Sequence, residues 1–150
     1  MILVTFWHGL RASETCALRG ANIRNGYVKT GRLKGSMSCK QPYWQHPDPL
    51  LDEAAGLTLL ASQVSDTELL FPITRFGFHD FFRKAAVEAG INPDWAHPHI
   101  LKHSIAMVCI PSGIEHTRKR LGHKSMSSTG AYLVIDEEQA DAAIRKNLGL

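Results

Sequence analysis

No apolar run in this chain of 150 residues is long enough to cross a bilayer, so no membrane span is expected. Cysteine is scarce. Cys16, Cys39 and Cys109 are odd in number, widely spaced and include no Cys-x-x-Cys pair. That argues against a disulfide framework or a cysteine zinc site and reads as free thiols in a reducing cytosol. Repeats and low-complexity tracts are absent too. The apolar start, Met1 to Trp7, is too short for a signal-peptide core and carries no basic flank. It reads as the end of a core helix entered partway along, with further sequence expected upstream.

Acidic residues are also missing where basic ones collect. From Thr15 to Pro47 there is no acid, against Arg19, Arg24, Lys29, Arg32, Lys34 and Lys40. From Trp95 to Ile135 Glu115 is the sole acid, against Lys102, Arg118, Lys119, Arg120 and Lys124, and five of the eight histidines lie there. The net charge of +3 hides this segregation. Two basic stretches around a mixed middle suggest one folded face for a polyanion, the alternative being an ordinary solvated surface.

The length and composition are those of one soluble domain with one sizeable core. Residues 2–8 read as a buried helix broken by Gly9, and Ser13 with Glu14 opens a short helix to Leu18. Asn25-Gly26 is a type I′ hairpin signal. It sits in a small antiparallel sheet expected at about residues 22–24, 27–33 and 36–41. Pro47-Asp48-Pro49 leads into a helix over about 50–62, with Leu50, Leu51, Ala54, Leu57, Leu60 and Ala61 at helical spacing. Thr74 caps a helix to Ala89 that offers Phe76, Phe78, Phe81, Phe82, Ala85 and Val87 to the core. Further helices are expected at 99–110, stopped by Pro111 and Gly113, at 114–121, ended by Gly122, and at 137–147. The fold class is α+β, mostly helical with a small sheet near the start.

Five short signals occur in one order: His8-Gly9-Leu10-Arg11-Ala12-Ser13-Glu14, Arg32-Leu33-Lys34-Gly35, His99-Ile100-Leu101-Lys102-His103, Leu121-Gly122-His123, and Tyr132 nine residues after His123. In order and wording they resemble the catalytic domain of the tyrosine recombinase, or phage integrase, family from about His8 to Ile135. Leu-Gly-His-Lys-Ser followed by Ser-Thr-x-x-Tyr is the most specific part. The resemblance implies a partial integrase catalytic domain over 1–150, without the helical domain that clamps DNA. It implies double-stranded DNA as partner, assembly as a homo-oligomer on DNA, and a place in the bacterial cytosol. It also implies cleavage through a covalent 3′-phosphotyrosyl linkage with no metal or small-molecule cofactor.

The residue types suit that chemistry. A phosphodiester repels nucleophiles, and its transition state spreads charge over non-bridging oxygens where fixed cations act most strongly. Arg11 supplies a planar fork for two oxygens. Tyr132 is the nucleophile, and a phenol needs neighbouring positive charge and a proton acceptor to attack. Lys34 protonates the leaving oxygen, with Lys29 and Lys40 as rival choices. His99 acts as acid or base near the phenol, and His123 bonds the phosphate. Lys29, Arg32, Lys40 and Lys124 are the further DNA-binding candidates. Each has a plainer alternative: a surface pair for Arg11, an exposed edge lysine for Lys34, a capping or packed ring for His99, a half-buried phenol for Tyr132.

His99 and His103 also have the spacing of a zinc helix, but no glutamate or third ligand accompanies them. Two departures from the family pattern stand out. Lys102 replaces the usual arginine, a loss of roughly 1.5–3 kcal/mol of charge-assisted bonding, so slowed cleavage is expected. Pro111 interrupts a helix, and Gly113 to Gly122 is about two residues short. A DNA-binding remnant impaired in catalysis is therefore the alternative reading.

Overall fold

Gly9 sets the direction of everything that follows the first helix. α1, Ile2–Trp7, stops at His8, and Gly9 takes φ 57°. A Cβ at Gly9 would lie 2.9 Å from Leu121 Cδ2, so both the backbone conformation and the space require glycine. The chain turns there into α2, Ala12–Cys16. That helix starts one residue before the expected Ser13, because the Glu14 carboxylate reaches back to accept the Arg11 N–H at 2.8 Å. The structure, a computed structural model, describes residues 1–31, 37–130 and 145.

A short 3₁₀ turn, Gly20–Asn22, leads into β1 (Ile23–Arg24), β2 (Tyr27–Thr30) and β3 (Cys39–Pro42), an antiparallel sheet in the order β1-β2-β3. Asn25 and Gly26 form the expected turn with φ 55° and 76°. Pairing sets Val28 against Gln41 on the inner face and Lys29 against Lys40 on the outer. The expected strand ends at 32–33 and 36 fall outside the described residues. Under the sheet, Ile23, Val28, Leu10, Leu18 and Leu57 make a core of buried side chains.

α3, Glu53–Gln63, begins three residues later than the leucine spacing predicts. Asp48 bonds the Leu50 N–H at 2.9 Å and turns the chain, and Asp52 then caps the helix at Ala54. Leu50 is left 81% exposed, and buried Glu53 faces inward instead. α4, Arg75–Glu88, has its expected cap, Thr74 Oγ1 accepting from Gly77 at 3.1 Å. Only part of its aromatic set enters the core. Phe78 and Phe82 are buried, while Phe76 and Phe81 lie on the outer face.

α5, His99–Cys109, gives way to a 3₁₀ turn at Ile110–Ser112, as Pro111 demands. α6, Ile114–Leu121, packs on α5 through Ile105, Ala106 and Leu121 and ends at left-handed Gly122. α7, Ser127–Gly130, is the last helix with a described range. Of the helix expected over 137–147, residue 145 is described, helical and exposed, and the remainder falls outside the described residues. No helix among the described residues is long and apolar enough to cross a membrane.

Candidate active site

Arg11 follows directly from the Gly9 bend. Its Nη1 donates to Glu14 Oε1 at 3.2 Å, while the other oxygen of the same carboxylate takes the Arg11 backbone N–H. Glu14 is buried and the Arg11 side chain is 39% exposed. A buried acid therefore fixes the base of a guanidinium whose face reaches solvent. The sequence presents Glu14 as a helix opener within the first motif, and its place three residues after Arg11 is the capping-box signal for this second role.

Arg11 lines a cavity of about 400 Å³. Ser13 from α2, Arg75, Phe76 and His79 from α4, and His97 and His99 at the start of α5 share that wall. The structure thus brings Arg11 and His99 together from positions 88 residues apart. Burial first, then the charges of His103, Lys102, His97 and Arg11, hold the His99 imidazole below its ordinary value. The His99 and His103 rings meet edge to face, with centroids 4.6 Å apart. Among the described residues no group of three or more His, Cys, Asp or Glu side chains is placed to hold a metal ion.

The sign of the pH effect follows. A histidine whose folded value is depressed binds fewer protons in the native state than in the unfolded chain. Stability therefore rises with pH through the interval just below about 6.5 and falls as His99 is protonated. An anion in the cavity opposes the same cationic field. NMR titration of the His99 ring is expected to show a midpoint below that of a free imidazole, moving upward when inorganic phosphate is added. A midpoint unmoved by phosphate would place the anion elsewhere.

Lys102 lies one turn along α5 from His99 and is buried. Its Nζ donates to the Leu121 carbonyl at 3.0 Å, tying α5 to the end of α6. That bond falls two residues before His123, whose Nδ1 is 3.0 Å from Thr129 Oγ1. Thr129 is itself three residues before Tyr132. On the other side, the Met37 N–H donates to the Gly122 carbonyl at 2.9 Å. The chain thus returns from the segment holding Lys34 right beside His123. Arg118 braces this turn, donating to the His123 carbonyl at 2.8 Å while paired with Glu115. Arg32, Lys34 and Tyr132 lie outside the described residues.

The basic face is smaller than the charge pattern suggests. Arg24 is used to bind Asp66 at 2.6 Å and the carbonyls of Ala61 and Val64. Arg19 bonds the Thr67 carbonyl, and Arg120 bonds the Trp7 carbonyl and stacks over Trp44. Lys29 and Lys40 do face solvent, directly opposite one another, with the Lys40 ammonium 4.2 Å from the Tyr27 ring centre. Lys124 is exposed beside His123. Two like charges facing each other across a ladder repel unless an anion joins them. Arg75, His79, Arg118 and Thr129 were missed as site residues. Only Arg75 and His79 had a local sign, their one-turn spacing after the Thr74 cap.

Comparisons with known proteins identify the family and the fold. The model of the phage integrase family matches residues 1–139. A tyrosine recombinase XerC from Erythrobacter litoralis is 29% identical over 97% of this chain and 49% of its own length. A tyrosine recombinase XerD from Xanthomonas campestris pv. campestris is 30% identical over 90% of this chain and 47% of its own. The chain spans about half the length of the curated relatives it matches. Among solved structures, the fold is shared with the Tn1549 transposon integrase in complex with a circular intermediate DNA, at TM-score 0.75 and 15% identity, over 97% of this chain and 57% of that one. It is shared also with the XerA recombinase, at TM-score 0.67 and 21% identity, over 96% of this chain and 55% of that one. With the family model covering nearly its whole length, and with Arg11 and His99 on one cavity wall, the chain belongs to the phage integrase family.

Proposed function

We propose that this chain is the catalytic part of a site-specific recombinase that cuts and rejoins duplex DNA through Tyr132. The observation that carries the reading is Arg11, fixed by buried Glu14 on the wall of a cavity it shares with His99. A guanidinium held in place before substrate arrives needs no reorganisation when charge develops on the phosphate. In the reaction the Tyr132 oxygen forms a bond to phosphorus and loses its proton, and the bond to the 5′ oxygen breaks. Lys34 donates a proton to that leaving oxygen. A 5′-hydroxyl of a second strand then reverses the step. One phosphodiester is exchanged for another, and no nucleotide is consumed.

His99 acts as acid or base near the phenol and takes the proton that Tyr132 loses, and His123 bonds the phosphate. Lys102 acts from below, holding the turn that carries His123. Lys29, Arg32, Lys40 and Lys124 contact flanking phosphates. DNA is the partner, and the active form is an oligomer of this protein on its recombination site, in a bacterial cytosol. Two solved relatives support this by their contents: a XerH recombinase bound to its difH substrate, and a λ integrase dimer bound to a core site.

One observation favours a binding-only remnant, the commitment of the buried Lys102 ammonium to the Leu121 carbonyl. A single experiment separates the two. Duplex DNA carrying a nick that lets the cleaved end diffuse away is incubated with the protein. Recombinase activity gives a denaturation-resistant protein–DNA adduct mapping to Tyr132. DNA binding without any adduct identifies the remnant.

A further inference from the structure

Both backbone groups of His123 are held by Arg118. The His123 N–H donates to the Arg118 carbonyl at 3.0 Å, and Arg118 Nη1 returns a bond to the His123 carbonyl at 2.8 Å. With the backbone fixed, the ring is the part left to orient. His123 is buried, and its Nδ1 lies 3.0 Å from the Oγ1 of Thr129, a residue with no exposed surface. A hydroxyl can donate or accept, so the direction of this bond decides where the ring proton sits. If Nδ1 carried the proton and donated it, the Thr129 O–H would need an acceptor of its own. Among the described residues His123 is the sole partner of that hydroxyl. A buried O–H without an acceptor costs more than an oxygen with a lone pair to spare. The hydroxyl therefore donates to Nδ1, and the neutral ring keeps its proton on Nε2.

We infer that Thr129 is a positioning residue for cleavage: its hydroxyl selects the Nε2–H form of His123 and so makes the ring a donor to the phosphate. This rests on the proposed role of His123 at the scissile phosphate. In the other form the ring would turn a lone pair toward an anion, opposing the charge that develops there. Thr129 belongs to α7, three residues before Tyr132, and its own N–H is held by the Met126 carbonyl at 2.9 Å. The ring is thus oriented from the segment that leads to the nucleophile, and Thr129 acts only through that ring.

The test reads the ring proton and the reaction separately. Two-bond proton–nitrogen NMR correlations of the histidine rings, recorded on the whole chain at about pH 8, above the ordinary imidazole value, show which nitrogen carries the proton. The expected result is Nε2 in the parent protein and in Thr129→Ser. Thr129→Val keeps the shape but loses the hydroxyl, and should give a mixture of both forms. Adduct formation on the nicked duplex at saturating DNA is expected to slow about ten-fold in Thr129→Val, the equivalent of one lost hydrogen bond, and to recover in Thr129→Ser. DNA affinity stays unchanged in both. His123→Ala supplies the second comparison. Because Thr129 acts through the ring, Thr129→Val slows that variant no further. A parent ring protonated on Nδ1, or equal slowing by Thr129→Val with and without His123, would overturn the inference while adducts still form. A parent protein that forms no adduct removes the functional reading, and the inference with it.

Discussion

Tyr132→Phe is expected to abolish the covalent protein–DNA adduct while leaving DNA affinity within about two-fold. Phenylalanine lacks the oxygen that must form the bond to phosphorus, so no residual route through this residue exists. Arg11→Gln is expected to act on the same assay by degree. Loss of one fixed donor to developing charge costs about 10²–10³ in rate. Arg11→Lys retains charge but loses the planar fork, so it falls between the two. The decisive measurement is the rate of adduct formation at saturating DNA, read on a denaturing gel. Glu14→Gln is the useful companion: it leaves Arg11 in place but removes the anion that orients it. If Arg11→Gln forms adduct as fast as the parent, Arg11 is not a clamp on the reacting phosphate, however suggestive its position.

The second large effect concerns stability. Glu53 is buried at the start of α3 and accepts from His8 Nε2 at 2.8 Å and from the Trp44 N–H at 3.0 Å. The other ring nitrogen of His8 meets Gln41 Oε1 at 2.9 Å, and Gln41 Nε2 donates to the Arg120 carbonyl. One chain of polar groups thus ties the end of α1 to α3, β3 and α6. Glu53→Ala removes its hub, leaving a buried imidazole without its acid and the part-buried Trp44 N–H without this acceptor. Breaking a buried pair from one side costs about 3–5 kcal/mol, a large share of the 5–15 kcal/mol available to a domain of this kind. Urea unfolding should show a midpoint lowered accordingly at unchanged slope. His8→Ala should cost a similar amount, and the double variant much less than the sum, since the two share one interaction. Strict additivity would mean that the pair is not coupled. His8 stands three residues before Arg11, so the same network also anchors the bend that presents Arg11.

That network explains what could and could not be read from the chain. Signals that act within a few residues were legible: Asn25-Gly26 for the hairpin, Thr74 for the cap of α4, Pro111 and Gly122 for the helix ends. The ordered motifs likewise led to Arg11 and His99, which the fold places on one cavity. Contacts between distant residues were not legible. Nothing near Glu53 announces that it faces His8, 45 residues away. The leucines at 50 and 51 therefore looked like better helix starters than they are. The positive charge of Arg24 and Arg120 was counted toward a DNA face because their partners, Asp66 and Trp44, are distant in sequence. Phe76 belongs to the set that the helix after Thr74 offers to the core, yet its position on α4 leaves it exposed beside the cavity. Lys102 looked like a weaker substitute for arginine. Its bond to the Leu121 carbonyl shows a second duty, one that depends on a helix 19 residues downstream.

The turn at Gly122 and His123 has a consequence for how this fold can vary. Met37, just before β3, is bonded to Gly122, and Thr129 in α7 is bonded to His123. Both contacts meet at one turn braced by Arg118. A substitution there displaces Met37 and Thr129 together, so neither can be repositioned without disturbing the other.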